Sequence, residues 1–271
     1  MSGRVAVSAV SSWRWTFDED LAFWDRAGIE DVVLSLRKLD EAGRAAATRR
    51  VVAAGLAVAA VGEVGWWDLD DPATWPAQRD RLDAAADAAA ATGAATVVLT
   101  SGPAGSHRWA DALARLCDAV APVRDRAAAA GVQLALENTS PLRLDLSFVT
   151  TLRDCVDAAG EADVGVCVEV NSCFAERDVD DTLRRGVALG RVRHVQLSDF
   201  VVGSTSTPDR AVPGDGDIPL ARILDVLATA GYRGPFELEL VGPRIEAEGY
   251  EPAIRRALAR LAPLLDATVT P

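Results

Sequence analysis

The sequence predicts an α/β protein built as one (β/α)8 TIM barrel domain over residues 1–271. Three observations carry this. Short β-branched runs alternate with longer Ala-, Leu- and Arg-rich segments from one end of the chain to the other. Glycines recur just after the helical segments and just before the next strand. The length of 271 residues suits one barrel, which typically takes about 250 residues. The strand candidates are 5–10, 31–36, 56–61, 96–101, 133–138, 164–170, 192–199 and 235–241. Continuous apolar strands separated by helices mean parallel strands with crossover helices, and eight such units close into a barrel more readily than they form an open sheet. The glycines at 28, 55, 93, 131, 160, 190 and 231 are placed to supply the left-handed cap that ends each helix. A dinucleotide-binding sheet would need a Gly-x-Gly-x-x-Gly turn after the first strand. That strand runs into SSWRWTFDED instead.

Composition narrows the partners. The net charge is -12 and the arginines form no basic stripe, so a nucleic-acid backbone would be repelled. Lys38 is the one lysine. The N-terminus reads as no signal peptide, and no run approaches the roughly 18 apolar residues of a membrane span. Cys117, Cys155, Cys167 and Cys173 form no CxxC pair and are expected as reduced core thiols. The expectation is a cytoplasmic protein with a small-molecule substrate and no nucleic-acid or membrane partner; a homo-oligomer is left open.

In this fold chemistry sits at the carboxyl ends of the strands. Strand five ends in Glu137-Asn138, strand six in Glu169-Val170-Asn171-Ser172, strand seven in Gln196-Leu197-Ser198-Asp199, and strand eight carries Glu237-Leu238-Glu239. Because side chains alternate along a strand, Glu137, Glu169, Gln196 and Glu239 are placed to point inward at one level. Three converging carboxylates need a neutralising cation or a proton held by a raised pKa. The same parity puts His194 and Glu237 one layer below, as a hydrogen-bonded pair, with Gln133 sharing that interior.

The segments LALENTS, VGVCVEVNS, VRHVQLSDF and GYRGPFELEL, with AVPGDGDIPLARIL before the last strand, resemble the final strand motifs of the xylose-isomerase-like sugar phosphate isomerase/epimerase barrels. The resemblance is specific from about residue 130 onward. It implies a divalent metal held by Glu137, Glu169, Gln196 and Glu239, with Glu137 and Glu239 as the catalytic acid and base. Three positions depart from the family pattern: Glu169 stands for Asp, Gln196 for His, and Ser172 for a second His. Loss of the nitrogen ligand favours Mn or Mg over Zn. A metal-free site in which two Glu relay a proton is the alternative.

Trp13, Trp15, Trp66, Trp67 and Trp109 all fall on predicted loops at that rim, where they suggest an aromatic wall. Substrate contacts are expected from Trp15, Trp66, Trp67, Asn138, Ser172, His107 and Arg210. Glu63, Arg143 and Arg244 also lie at the rim. No glycine-rich phosphate cradle follows strands seven or eight, so the expected substrate is unphosphorylated. The reading is an isomerase or epimerase moving a proton beside a carbonyl of a small sugar, polyol or keto compound. A lyase or dehydratase, and a non-catalytic ligand-binding barrel, remain the alternatives. An endonuclease would need a His-rich metal cluster, and the chain has only His107 and His194.

Overall fold

A computed structural model describes residues 5–269. Eight strands form a closed parallel barrel in sequence order: β1 Val5–Ser8, β2 Asp31–Ser35, β3 Ala57–Val64, β4 Thr96–Leu99, β5 Gln133–Glu137, β6 Gly165–Glu169, β7 Val192–Leu197 and β8 Phe236–Leu238. β8 is shorter than the expected 235–241, and Glu239 follows its last residue. The seam between β8 and β1 pairs Ala6 with Glu237 and Val7 with Leu238. Above it a side chain continues the ladder. Ser11 Oγ donates to the Leu238 carbonyl at 3.0 Å and accepts the Leu240 N–H at 2.9 Å.

Helices cover the barrel, the longer ones being Trp75–Thr92, Trp109–Ala129 and Tyr250–Val269. Most of the core lies between strands and helices, around Phe23, Trp24, Leu34, Leu113, Leu116 and Leu227. Six of the glycines placed at helix ends have left-handed φ, namely Gly28, Gly55, Gly93, Gly131, Gly190 and Gly231. Gly160 does not. It lies inside helix Leu152–Ala162, and Asp163 takes the left-handed cap at φ 52°. Asp tolerates that conformation better than most residues.

The barrel interior is layered. Ala6, Val33, Ala60, Val98, Ala135 and Cys167 form a small apolar cluster, one residue from each of β1 to β6. His194 of β7 and Glu237 of β8 complete this ring, with Nε2 of the imidazole 2.7 Å from the Glu237 carboxylate. Both are buried. The small side chains opposite leave room for the ring, and the hydrogen bond satisfies a carboxylate that burial would otherwise penalise. Gln133 does not share this interior; it is exposed at the opposite end of its strand.

Candidate active site

Two residues further along each strand, the layer becomes polar. Its last four positions are Glu137, Glu169, Gln196 and Glu239. Backbone register sets Glu169 beside Gln196, and the Glu239 N–H donates to the Leu197 carbonyl at 3.1 Å. Asn138 ties β5 to β6: its Nδ2 donates to the Glu169 carbonyl at 3.1 Å and its Oδ1 accepts the Glu169 N–H at 3.0 Å. Glu169 is thereby held by its backbone as well as its side chain.

A guanidinium enters this layer from the loop after β7. Asp199 organises that loop. Its carboxylate accepts N–H groups from Phe200 and Ile218 on one oxygen and from Gly214 and Gly216 on the other, at 2.8–3.0 Å. A Cβ at Gly216 would stand 2.4 Å from that carboxylate, so only glycine allows the approach. Asp199 also bridges to Ala211 through two backbone hydrogen bonds, and the Arg210 N–H donates to the Val241 carbonyl at 2.9 Å. Arg210 is thus aimed inward. Its Nη1 pairs with Glu169 Oε2, and its Nη2 with Glu239 Oε1 at 3.0 Å. The second oxygen of Glu239 accepts the Gln196 amide at 2.6 Å, and that of Glu169 accepts the Asn171 N–H at 2.9 Å.

These charges are out of water, which shifts their titration. Burial, reinforced by the neighbouring Glu169, pushes the Glu137 carboxyl up to about 8. Burial likewise raises Glu239 well above the usual carboxylate range, and raises Glu169, against the opposing pull of Arg210. The Arg210 guanidinium is held charged by Glu169 and Glu239 despite its own burial. One arginine cannot neutralise three carboxyls. Glu169 and Glu239 each receive the guanidinium and a second N–H donor, and burial still raises all three carboxyls, so the layer favours keeping a proton.

Glu137, Gln196 and Glu239 of this layer, with Arg210, floor a cavity of about 590 Å³, and Glu169 is buried outside its lining. Val33, Leu34, Val98, Leu99, Leu146 and Val241 give it apolar walls, with Trp13 and Trp66 at its rim. Of the residues expected at the site, Glu137, Gln196, Glu239, Trp66 and Arg210 line it. Trp15 is turned away, packed edge-on to Phe23 and Tyr250 with centroids 5.5 and 5.4 Å apart. Trp67 is fully buried in the core, and Trp109 packs on Phe148. Asn138 supports Glu169 from behind, and Ser172 sits on the short helix Val170–Cys173 outside the cavity lining. His107 turns to the Leu69 carbonyl at 3.2 Å and to Asp70. Arg143 reaches the lining, paired with Asp145, whereas Arg244 pairs with Asp209.

A β-bulge brings in Trp66 and Glu63. The β3–β4 register shifts between Val61 and Val64, and Glu63 and Trp66 both take left-handed backbone, at φ 65° and 57°. Such strain in non-glycine residues gathers at functional sites. Between them Gly65 presses on Thr100, whose carbonyl would lie 2.2 Å from a Cβ there. Glu63 pairs one oxygen with Arg37 at 3.4 Å. Its other oxygen is buried without a hydrogen-bond partner. Alternating polarity in the sequence carries no trace of this bulge.

The four residues expected to hold a divalent metal meet, but their arrangement does not fit one. Both oxygens of Glu169 and both of Glu239 are taken by N–H donors. Gln196 turns its amide N–H toward Glu239, while its Oε1 has no partner. Among the described residues no group of three or more His, Cys, Asp or Glu side chains is arranged to hold a metal ion.

Comparison with known proteins agrees with this architecture. A 132-residue stretch is 27% identical to the inosose isomerase of Halalkalibacterium halodurans, covering 47% of this chain and 46% of that protein. The chain therefore spans less than half the length of the curated relative it matches. A crystal structure from Sinorhizobium meliloti 1021 superposes with a TM-score of 0.86 at 24% identity, over 97% of this chain and 99% of the other. The IOLI protein with a bound zinc atom superposes at 0.85 with 16% identity, over 99% and 100% of the two chains. D-psicose 3-epimerase from Clostridium cellulolyticum H10 does so at 0.73 with 15% identity, over 98% of each chain. At these identities the superpositions speak for the fold alone. The family model of the xylose isomerase-like TIM barrel matches residues 20–264, and the chain belongs to that family.

Proposed function

We propose that this protein is an isomerase or epimerase that moves a proton at the carbon beside a carbonyl of a small sugar, polyol or related keto compound. The observation that carries the reading is the pair Glu137 and Glu239. Two buried carboxyls share one cavity floor, and burial raises the pKa of both, which suits carboxyl groups that give and take protons there. In the forward step the unprotonated carboxylate takes the α-proton. The C–H bond breaks, its electron pair forms the C=C bond of an enediolate, and the carbonyl π pair moves to oxygen. The partner carboxyl returns a proton from its own side. Gln196, hydrogen-bonded to Glu239, keeps that carboxylate oriented, and the apolar walls exclude water. The sequence relative, an inosose isomerase, supports a substrate of this class. The absence of a phosphate cradle supports an unphosphorylated one.

The test is solvent exchange. Incubated in D2O with a panel of inososes and free ketoses, wild type should place deuterium beside the carbonyl of at least one, read by NMR. Glu239→Gln should slow that exchange by about 10²–10⁴-fold, the usual scale for a positioned acid or base. If no member of the panel exchanges faster than without protein, the reading is wrong.

A further inference from the structure

We infer that the guanidinium of Arg210 is the built-in cation of this active site: it does the electrostatic work for which a divalent metal would otherwise be needed, and it grips the oxygen of the substrate carbonyl. The inference rests on the proton-transfer reading and names the group that stabilises its oxyanion.

Position and charge point the same way. Arg210 lines the cavity together with Glu137, Gln196 and Glu239, and it bridges the carboxylates of Glu169 and Glu239. Its side chain is 13% exposed and that of Glu169 is 1% exposed, so the pair interacts in a weakly screened interior. A metal would take lone pairs from Glu169, Gln196 and Glu239. Here Glu169 and Glu239 give theirs to N–H donors, and Gln196 is itself a donor. Two of the four expected ligands are thus committed to N–H donors, with the guanidinium shared between them. The arginine is also held in place. The Asp199 cradle and the Arg210–Val241 backbone bond fix the loop. For a metal to enter, the guanidinium would have to give up both of its buried carboxylate contacts to the ion.

The chemistry follows. A planar fork presents several N–H donors in fixed geometry. Contacts to Glu169 and Glu239 hold its plane, and the cavity-facing edge meets the carbonyl oxygen. When the α-proton leaves for a glutamate, negative charge gathers on that oxygen beside a cation that needs no reorganisation. No co-reactant is required, and the proton is returned at the end of the cycle.

Two measurements on the intact protein test this. The first is calorimetric titration of chelator-treated wild type with manganese(II) chloride, without substrate. No stoichiometric binding is expected; one tightly held ion per chain would overturn the proposal. The second is α-proton exchange in D2O with and without EDTA, for wild type, Arg210→Ala and Arg210→Lys. Wild type should be indifferent to EDTA, and Arg210→Ala should lose about 10²–10³-fold, the scale of removing an oxyanion donor. Retained exchange in Arg210→Ala, or a wild-type rate abolished by EDTA, would also overturn it. Should Arg210→Ala not fold, Arg210→Lys keeps the charge without the fork and is read in its place, a rate equal to wild type counting against the proposal. If no compound exchanges at all, the functional reading fails and with it the grip on a carbonyl oxygen, while the manganese titration still decides whether Arg210 stands where a metal would.

Discussion

At the scale of single residues, the energetics turn on how one buried layer handles its charge. Glu137 has an ordinary pKa of 4.5 as a free side chain and about 8 in the fold. Between those values the folded chain keeps a proton that the unfolded chain has lost. Stability contributed by this group is therefore full at low pH and falls as pH rises through the window, by up to about 1.4 kcal/mol per pH unit. Glu137→Gln fixes the neutral form, so it should flatten that fall. Urea midpoints measured near pH 5 and near pH 8 should differ less in the variant than in wild type, with a residual slope from Glu169 and Glu239, whose shifts have the same sign. Parity along the strands was enough to bring Glu137, Glu169, Gln196 and Glu239 to one level and to put His194 against Glu237. It could not reveal Arg210 as their centre. That placement depends on Asp199 gathering four backbone N–H groups from a loop of irregular structure, a contact pattern with no period to read. The tryptophans divide for a similar reason. Lying on a rim loop says nothing of whether a ring faces the cavity, as Trp66 does, or the core, as Trp67 does.

Among the elements, the turn after β1 shows how a rim segment is held. Residues Ala9–Ser12 form a short 3-10 helix leading to Trp13. Lys38, from helix Leu36–Glu41, is buried beneath it. Its ammonium donates to the carbonyls of Ala9 and Ser12 at 2.8 and 2.9 Å and pairs with Asp20 at 2.6 Å, while Ser12 Oγ also reaches Asp20. A compact ammonium suits this cluster of oxygens where a flat guanidinium would not, which accounts for the one lysine in an arginine-rich chain. Burial lowers the Lys38 pKa and lifts that of Asp20 to about 6. Lys38→Met should destabilise the fold by about 3–5 kcal/mol, because Asp20 would stay buried without its partner. The double variant Lys38→Met with Asp20→Asn should recover part of that loss. Chemical denaturation of wild type and the two variants makes the comparison, and equal stability of all three would show that the pair does not hold the turn. Strand and helix positions followed from periodicity to within a few residues. The bulge in β3 and the Asp163 cap did not, because both are settled by what packs against them.

For the molecule as a whole, closure depends on a short strand. β8 has three residues, and Ser11 extends its pairing with β1 through one hydroxyl. Ser11→Ala leaves a buried N–H of Leu240 and a carbonyl of Leu238 without that partner, one residue either side of Glu239. It should cost about 1–3 kcal/mol and weaken exchange activity along with stability. Unfolding midpoints and exchange rates measured together check this; loss of stability with unchanged exchange would mean that the seam does not position Glu239. The barrel itself was legible from the eightfold alternation, since that pattern is set by local preferences repeated along the chain. One division within it reaches further. The charged half of the active layer comes from β5 to β8 and the loop after β7, whereas most of the wall facing it, from Ser8 to Thr100, comes from the first half of the chain. Apart from Glu63, that wall carries no carboxylate between Ser8 and Thr100. Substitutions that reshape it leave Glu137, Glu169, Arg210 and Glu239 untouched, so a lineage can vary the shape of its cavity by drift in this first half while inheriting the charged half intact.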